Sequence, residues 1–235
     1  MLLVSEPTRV VQGATPLPPA RPKEFQAAPS LPPPEQPLPS PEPIAPSVRE
    51  DDCLLRLQRA GVDATNADVT SANAACVVQT SVQMRAIGLG AGTSRRIDLP
   101  DRPVVACRFA ERLGQWASEV VAPLSAGQLK ADVKAIRTGP GYDCRNRNRQ
   151  ASGKLSPHAN GLAVDVAGFE LSNGDRLLIT DSSSEAKVRF LSGLRKASCG
   201  WFTTILGPGS DAAHATHWHL DIQQHGSSEN YRICQ

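Results

Sequence analysis

The sequence predicts an α+β fold in which an antiparallel sheet has helices packed against it. Three observations lead there. Strand-like alternation and helix-like three- and four-residue spacing are mixed along residues 50–235, without the strict βαβ order of a parallel sheet. Residues 216–222 alternate polar and apolar, placing His217, His219 and Asp221 on one strand face and Trp218, Leu220 and Ile222 on the other. Residues 162–166 read as a second strand, with Leu162, Val164 and Val166 on one face and Asp165 opposite.

Taken in order, the chain divides into a proline-rich linker, 1–49, and a domain, 50–235. Residues 7–46 hold 14 of the 20 prolines, which removes backbone donors and favours an extended polyproline II spacer. Its expected role is a tether; a ligand for an SH3-type module is the alternative. The first residues, Met1 to Pro7, offer neither the apolar run nor the basic leader of a secretory signal, so the true start is expected upstream. The domain opens with a short helix from Arg49 to Gln58, acidic at its front, with Gly61 at its exit. A second helix follows Pro103, with Cys107, Ala110, Leu113, Trp116 and Val120 on its core face and Pro123 closing it. A strand is expected over 132–138, a hairpin over 169–179 around Asn173-Gly174, a third helix over 185–197 and a strand over 201–206.

A net charge of +2 gives no case for nucleic acid or a membrane surface. No apolar run approaches the ~20 residues of a membrane span. The six cysteines, Cys53, Cys76, Cys107, Cys144, Cys199 and Cys234, contain no Cys-x-x-Cys pair and read as three disulfides in an oxidising compartment rather than as zinc ligands. The pairings expected are Cys53 with Cys76 and Cys199 with Cys234.

The chemistry concentrates in two stretches. Four of the five histidines fall in residues 214–225, and the fifth, His158, precedes Asp165 by seven. Imidazoles plus one carboxylate, with a position left for water, form the ligand set of a catalytic zinc site. An odd spacing would put His158 and Asp165 on opposite faces of one strand, but Pro157 and Gly161 place His158 on the entering loop, able to turn back beside Asp165. The competing reading makes the histidines a stacked core cluster. Asp221 either orients an imidazole or faces solvent. Tyr142 lines the pocket or packs, Ser156 is a loop residue near the site, Asp211 holds a turn, and His225 is exposed and idle. Arg147 and Arg149, alternating with asparagines after Arg145, read as a solvated face.

The sequence from Ser156 to Asp165 followed by His217-Trp218-His219 resembles the D-Ala-D-Ala metallopeptidases, including dipeptidases and murein endopeptidases. With Tyr142-Asp143-Cys144-Arg145 and Leu206 to Asp211, residues 50–235 resemble more closely the bacterial extensin-like C-terminal domain. The resemblance implies a hedgehog/D-Ala-D-Ala-peptidase-like fold and one zinc ion held by His158, Asp165 and His219. It implies that His217 handles a proton or the developing oxyanion, with His214 extending the motif, and that Arg145 meets a substrate carbonyl or carboxylate. One departure stands out: where the dipeptidases carry a general-base glutamate, three residues before the last ligand, this chain has Thr216. The function so implied is hydrolysis of peptidoglycan peptides by a periplasmic or cell-envelope monomer; the alternative is a non-catalytic metal-binding wall protein on a proline-rich stalk.

Overall fold

The structure is a computed structural model that describes residues 51–90, 93–226 and 231–235. The proline-rich stretch, and the expectation of a polyproline spacer there, lies outside the described residues. Helix α1 (Asp51–Arg59) buries Cys53 and Leu57 one turn apart and ends at Gly61, whose φ of +77° turns the chain. Strands β1 (Val62–Asn66), β2 (Ser81–Gly88), β3 (Arg96–Asp98) and β4 (Val104–Ala106) follow.

Helix α2 (Cys107–Trp116) does not stop at Pro123 as expected. It runs through a π turn (Ala117–Val121) into α3 (Ala122–Leu129). In that turn Ala122 N–H bonds back to Ala117 O, so Pro123 falls in the first turn of a new α segment. A missing N–H costs nothing there, and the widened turn accommodates the ring. The rod buries Phe109, Leu113, Trp116 and Val121 in the core. Trp116 Nε1 donates to Ser198 Oγ at 2.8 Å, satisfying an otherwise stranded polar group.

Strand β5 (Val133–Thr138) leads through a loop to β6 (Ala163–Leu171), β7 (Arg176–Leu178), α4 (Glu185–Ser198), β8 (Thr204–Leu206), β9 (Trp218–Asp221) and β10 (Ile233–Cys234). All ten strands form one sheet, ordered β1-β2-β3-β5-β6-β9-β8-β10, with β4 on β2 and β7 on β6. The sheet is mixed rather than purely antiparallel, because β3–β5 and β8–β10 pair in parallel.

The central strand β6 sets the site. Val164 and Val166 join Trp218 and Leu220 in the same core cluster as the helix residues. Asp165 and His219 alternate to the opposite face. The register places Asp165 directly across from His219 and Ala163 across from Asp221. A bulge opposite Arg137/Thr138 then shifts the phase, so that Phe169 and Leu171 are the buried residues further along β6.

The three disulfides are Cys53–Cys107, Cys76–Cys144 and Cys199–Cys234. The last pair matches expectation; Cys53–Cys76 does not. Cys53 faces the start of α2, where Arg56 Nη2 also reaches Cys107 Sγ at 3.4 Å. Cys76 lies in a loop spread over the site-bearing segment, held there by Asn160 Nδ2 donating to the carbonyls of Ala75 and Val77. Sequence neighbours are therefore not spatial ones. Closing the 68-residue separation of Cys76 and Cys144 restricts the unfolded chain by about 4 kcal/mol on the loop-entropy account.

Candidate metal centre

His158 reaches the site by a local device. Residues Pro157–Asn160 form a single 3-10 turn, with proline at its start and Gly161 in the left-handed region at its end. A Cβ on Gly161 would meet Ala106 N at 2.7 Å, so only glycine lets this turn sit against β4. The turn buries His158 at 3 % exposure and brings its Nε2 3.2 Å from Asp165 Oδ1. His219 Nδ1, from β9, lies 3.1 Å from each of these atoms. His158, Asp165 and His219 are the one group of potential ligands found among the described residues, with their donor atoms within 4.8 Å of one another.

The outer nitrogens fix the tautomers. His158 Nδ1 donates to the Gly141 carbonyl at 2.6 Å. His219 Nε2 donates to Asp221 Oδ2 at 3.0 Å. In the neutral rings, both inward nitrogens therefore present lone pairs, facing each other and a carboxylate oxygen. Three acceptors converging without a donor repel one another unless a cation or a proton lies between them. Two imidazoles and one carboxylate are also the donor types zinc takes, and the outer hydrogen bonds are the usual supports of histidine ligands. The residues fit the ion.

Asp221 is buried at 2 % exposure, and its other oxygen accepts from Thr203 Oγ1 at 3.1 Å and Gln223 N at 3.0 Å. It faces His219, not solvent. Burial alone would raise the pKa of Asp165, but hydrogen bonds and charge from His158 and His219 hold it well below the usual carboxylate range. Burial works against charge on His219 too, yet its bonds to Asp165 and Asp221 raise its pKa to about 9 without a metal.

The remaining candidates surround this cluster. His217 sits just before β9 rather than on it, half-buried, with Nε2 3.6 Å from Asp165 Oδ1. Burial, reinforced by the neighbouring histidines and opposed by Asp165, lowers its pKa and keeps it neutral. His214 is buried, and Asp211 Oδ1 accepts from both its backbone N and its Nδ1, at 3.0 and 2.7 Å. Asp211 thus holds the turn and orients a histidine. Arg145 is anchored by Asp143, 3.0 Å from its Nε, and extends Nη2 to within 3.9 Å of Asp165 Oδ2. Arg149 pairs with the same Asp143 and is otherwise exposed. Ser156 is buried, and its N–H donates to the Arg145 carbonyl at 3.0 Å. The Tyr142 hydroxyl is buried without a partner among the described residues, and Tyr142 does not line the cavity beside the cluster.

A cavity of about 160 Å³ adjoins the cluster, lined by His214, His219 and Asp221, with Arg145, Arg147 and Ser156 also on its wall. His225 lies there as well, contrary to the expectation of an idle surface residue. It is half-buried because its Nε2 meets the buried Thr204 Oγ1 at 2.7 Å. Sequence reasoning missed Thr204, and the Gly141 carbonyl carries no side-chain signal at all. Asp143 lies within a motif already noted, but its grip on Arg145 depends on the fold.

No helix among the described residues is long and apolar enough to cross a membrane. The three disulfides are compatible with an extracytoplasmic protein. No curated protein and no solved structure matches the chain significantly. Residues 51–235, which contain every element of the sheet and the whole candidate metal centre, match the family described as Extensin-like protein C-terminus. The chain belongs to that family.

Proposed function

We propose that this protein is a zinc-dependent hydrolase of cell-wall peptides, of carboxypeptidase, dipeptidase or endopeptidase type, cutting beside D-alanine in the periplasm or cell envelope. One observation carries the reading: the outer nitrogens of His158 and His219 are already committed, so their inward lone pairs converge with Asp165 Oδ1 on one point. A zinc ion held by these three residues supplies Lewis acidity, polarising a peptide carbonyl and making water nucleophilic near neutral pH.

The chain's own residues have distinct tasks. His217, kept neutral by burial, takes a proton from the attacking water and returns it to the leaving amine. Arg145, held by Asp143, offers planar donors to an oxyanion or a terminal carboxylate. Leu206 and Ile233 give the small cavity beside the cluster an apolar wall. The motif resemblance to the D-Ala-D-Ala metallopeptidases supports the same substrate class.

A second reading rests on Thr216, exposed where those peptidases have a general-base glutamate: a metal-binding wall protein without turnover. Digestion of purified muropeptides separates the two. The hydrolase reading expects cleavage by zinc-loaded protein, lost on chelation and in His217→Gln. Intact muropeptides alongside stoichiometric zinc favour the binder.

A further inference from the structure

A second, larger concavity of about 730 Å³ opens between the helices and the point where the chain leaves β9. Arg56 of α1, Arg108 and Arg112 of α2, and Arg232 near the C-terminus line it, with Glu111 and Trp201. Glu111 is already spoken for: its Oε1 lies 2.6 Å from Arg56 Nε. Arg108 and Arg112 stand one helical turn apart, both exposed, and neither forms an ion pair among the described residues. Arg232 Nη1 donates to the Phe202 carbonyl at 3.0 Å, which fixes the side chain without neutralising it. Four guanidiniums less one carboxylate leave three positive charges in one concavity, against +2 for the entire chain. The concavity is thus strongly positive on a nearly neutral protein, and like charges held together there repel until a bound anion relieves them.

The groove is not isolated from the metal centre. Gln223 lines it, and its Oε1 accepts from Arg147 Nη2 at 3.0 Å, while Arg147 lines the small cavity beside His219. A single side-chain contact therefore separates the two concavities. Trp201 adds an aromatic side chain to the same lining.

We propose that this groove binds a linear polyanion, a chain carrying carboxylates or phosphates at successive units. Guanidiniums are suited to both oxyanions because their planar donors can engage two oxygens at once. The groove's charges come from residues outside the metal cluster, so polyanion binding does not depend on the protein being a hydrolase.

The test is equilibrium binding of the full chain to poly-L-glutamate and to inorganic polyphosphate, with uncharged dextran as control. The wild type is expected to bind at least one polyanion and not dextran, more weakly as salt rises. The double variant R108Q/R112Q should bind about tenfold more weakly or worse, since two of the charge-assisted contacts are gone, and R232Q should also lose affinity. K134Q/K196Q, which removes two exposed charges elsewhere, should match the wild type. Preference for polyglutamate assigns a carboxylated ligand, and preference for polyphosphate a phosphorylated one. Equal thermal midpoints across the variants establish that folding is not the cause. No binding to either polymer, binding unchanged in R108Q/R112Q, or equal loss in both double variants overturns the proposal.

Discussion

Asp165 and His219 stand directly opposite each other on β6 and β9, with Oδ1 3.1 Å from Nδ1. A cross-strand pair on one face is a rigid way to hold two candidate ligands, because the register of the whole sheet fixes their separation. The third candidate ligand, His158, enters from a 3-10 turn locked by proline and glycine.

The outer hydrogen bonds should matter nearly as much as the ligands. Asp221→Asn keeps the size but puts an amide where His219 Nε2 donates to a carboxylate. Zinc affinity is expected to fall about 10- to 100-fold with the fold intact. Competition against a chelating dye measures it, and an unchanged affinity would mean that Asp221 does not orient His219.

Gly141 joins two constraints, since its φ is +81° and its carbonyl accepts from His158. A Cβ there would also meet Val105 Cγ1 at 3.0 Å. Gly141→Ala should cost about 1–3 kcal/mol of stability and weaken zinc binding together with it. Denaturant unfolding reads the first effect, and a loss below a few tenths of a kcal/mol would contradict the account.

His217→Gln is expected to keep zinc while lowering turnover about 10²- to 10⁴-fold, as removal of a general base does. Loss of zinc in this variant would make His217 a ligand instead.

The metal-free protein should show a distinctive pH dependence. His219, raised from 6.5 to about 9, contributes stability that is fully present below pH 6.5 and is lost as pH rises through about 9. Asp165, depressed from 3.8, contributes stability present above that value and lost as pH falls below it. His219 alone should thus make the chelated protein less stable at pH 9 than at pH 6 by an energy on the order of 3 kcal/mol, which the lowered pKa of His217 offsets only in part, so that the melting temperature falls. Zinc should remove that decline by replacing the proton. A chelated protein that gains stability from pH 6 to 9 would contradict the charge assignment.

Much of this was legible in the chain. Alternation around His219 and Asp165 is strong because each strand has one buried apolar face, and Pro157 and Gly161 announce the turn that carries His158. Short strands such as β3, with three residues, and β10, with two, show no period to read. Pro123 misled because a π turn changes which backbone donors are needed. Cys53 and Cys107 are brought together by helix packing, and His225 is drawn in by a hydrogen bond to Thr204. These are tertiary facts with no local signature.

The central claim is that His158, Asp165 and His219 hold a metal. Zinc content of the purified oxidised protein, wild type beside His219→Ala, tests it most directly. About one zinc per chain is expected in the wild type, the stoichiometry of a single three-ligand site, and almost none in the variant. No zinc in either protein, or equal zinc in both, would contradict it.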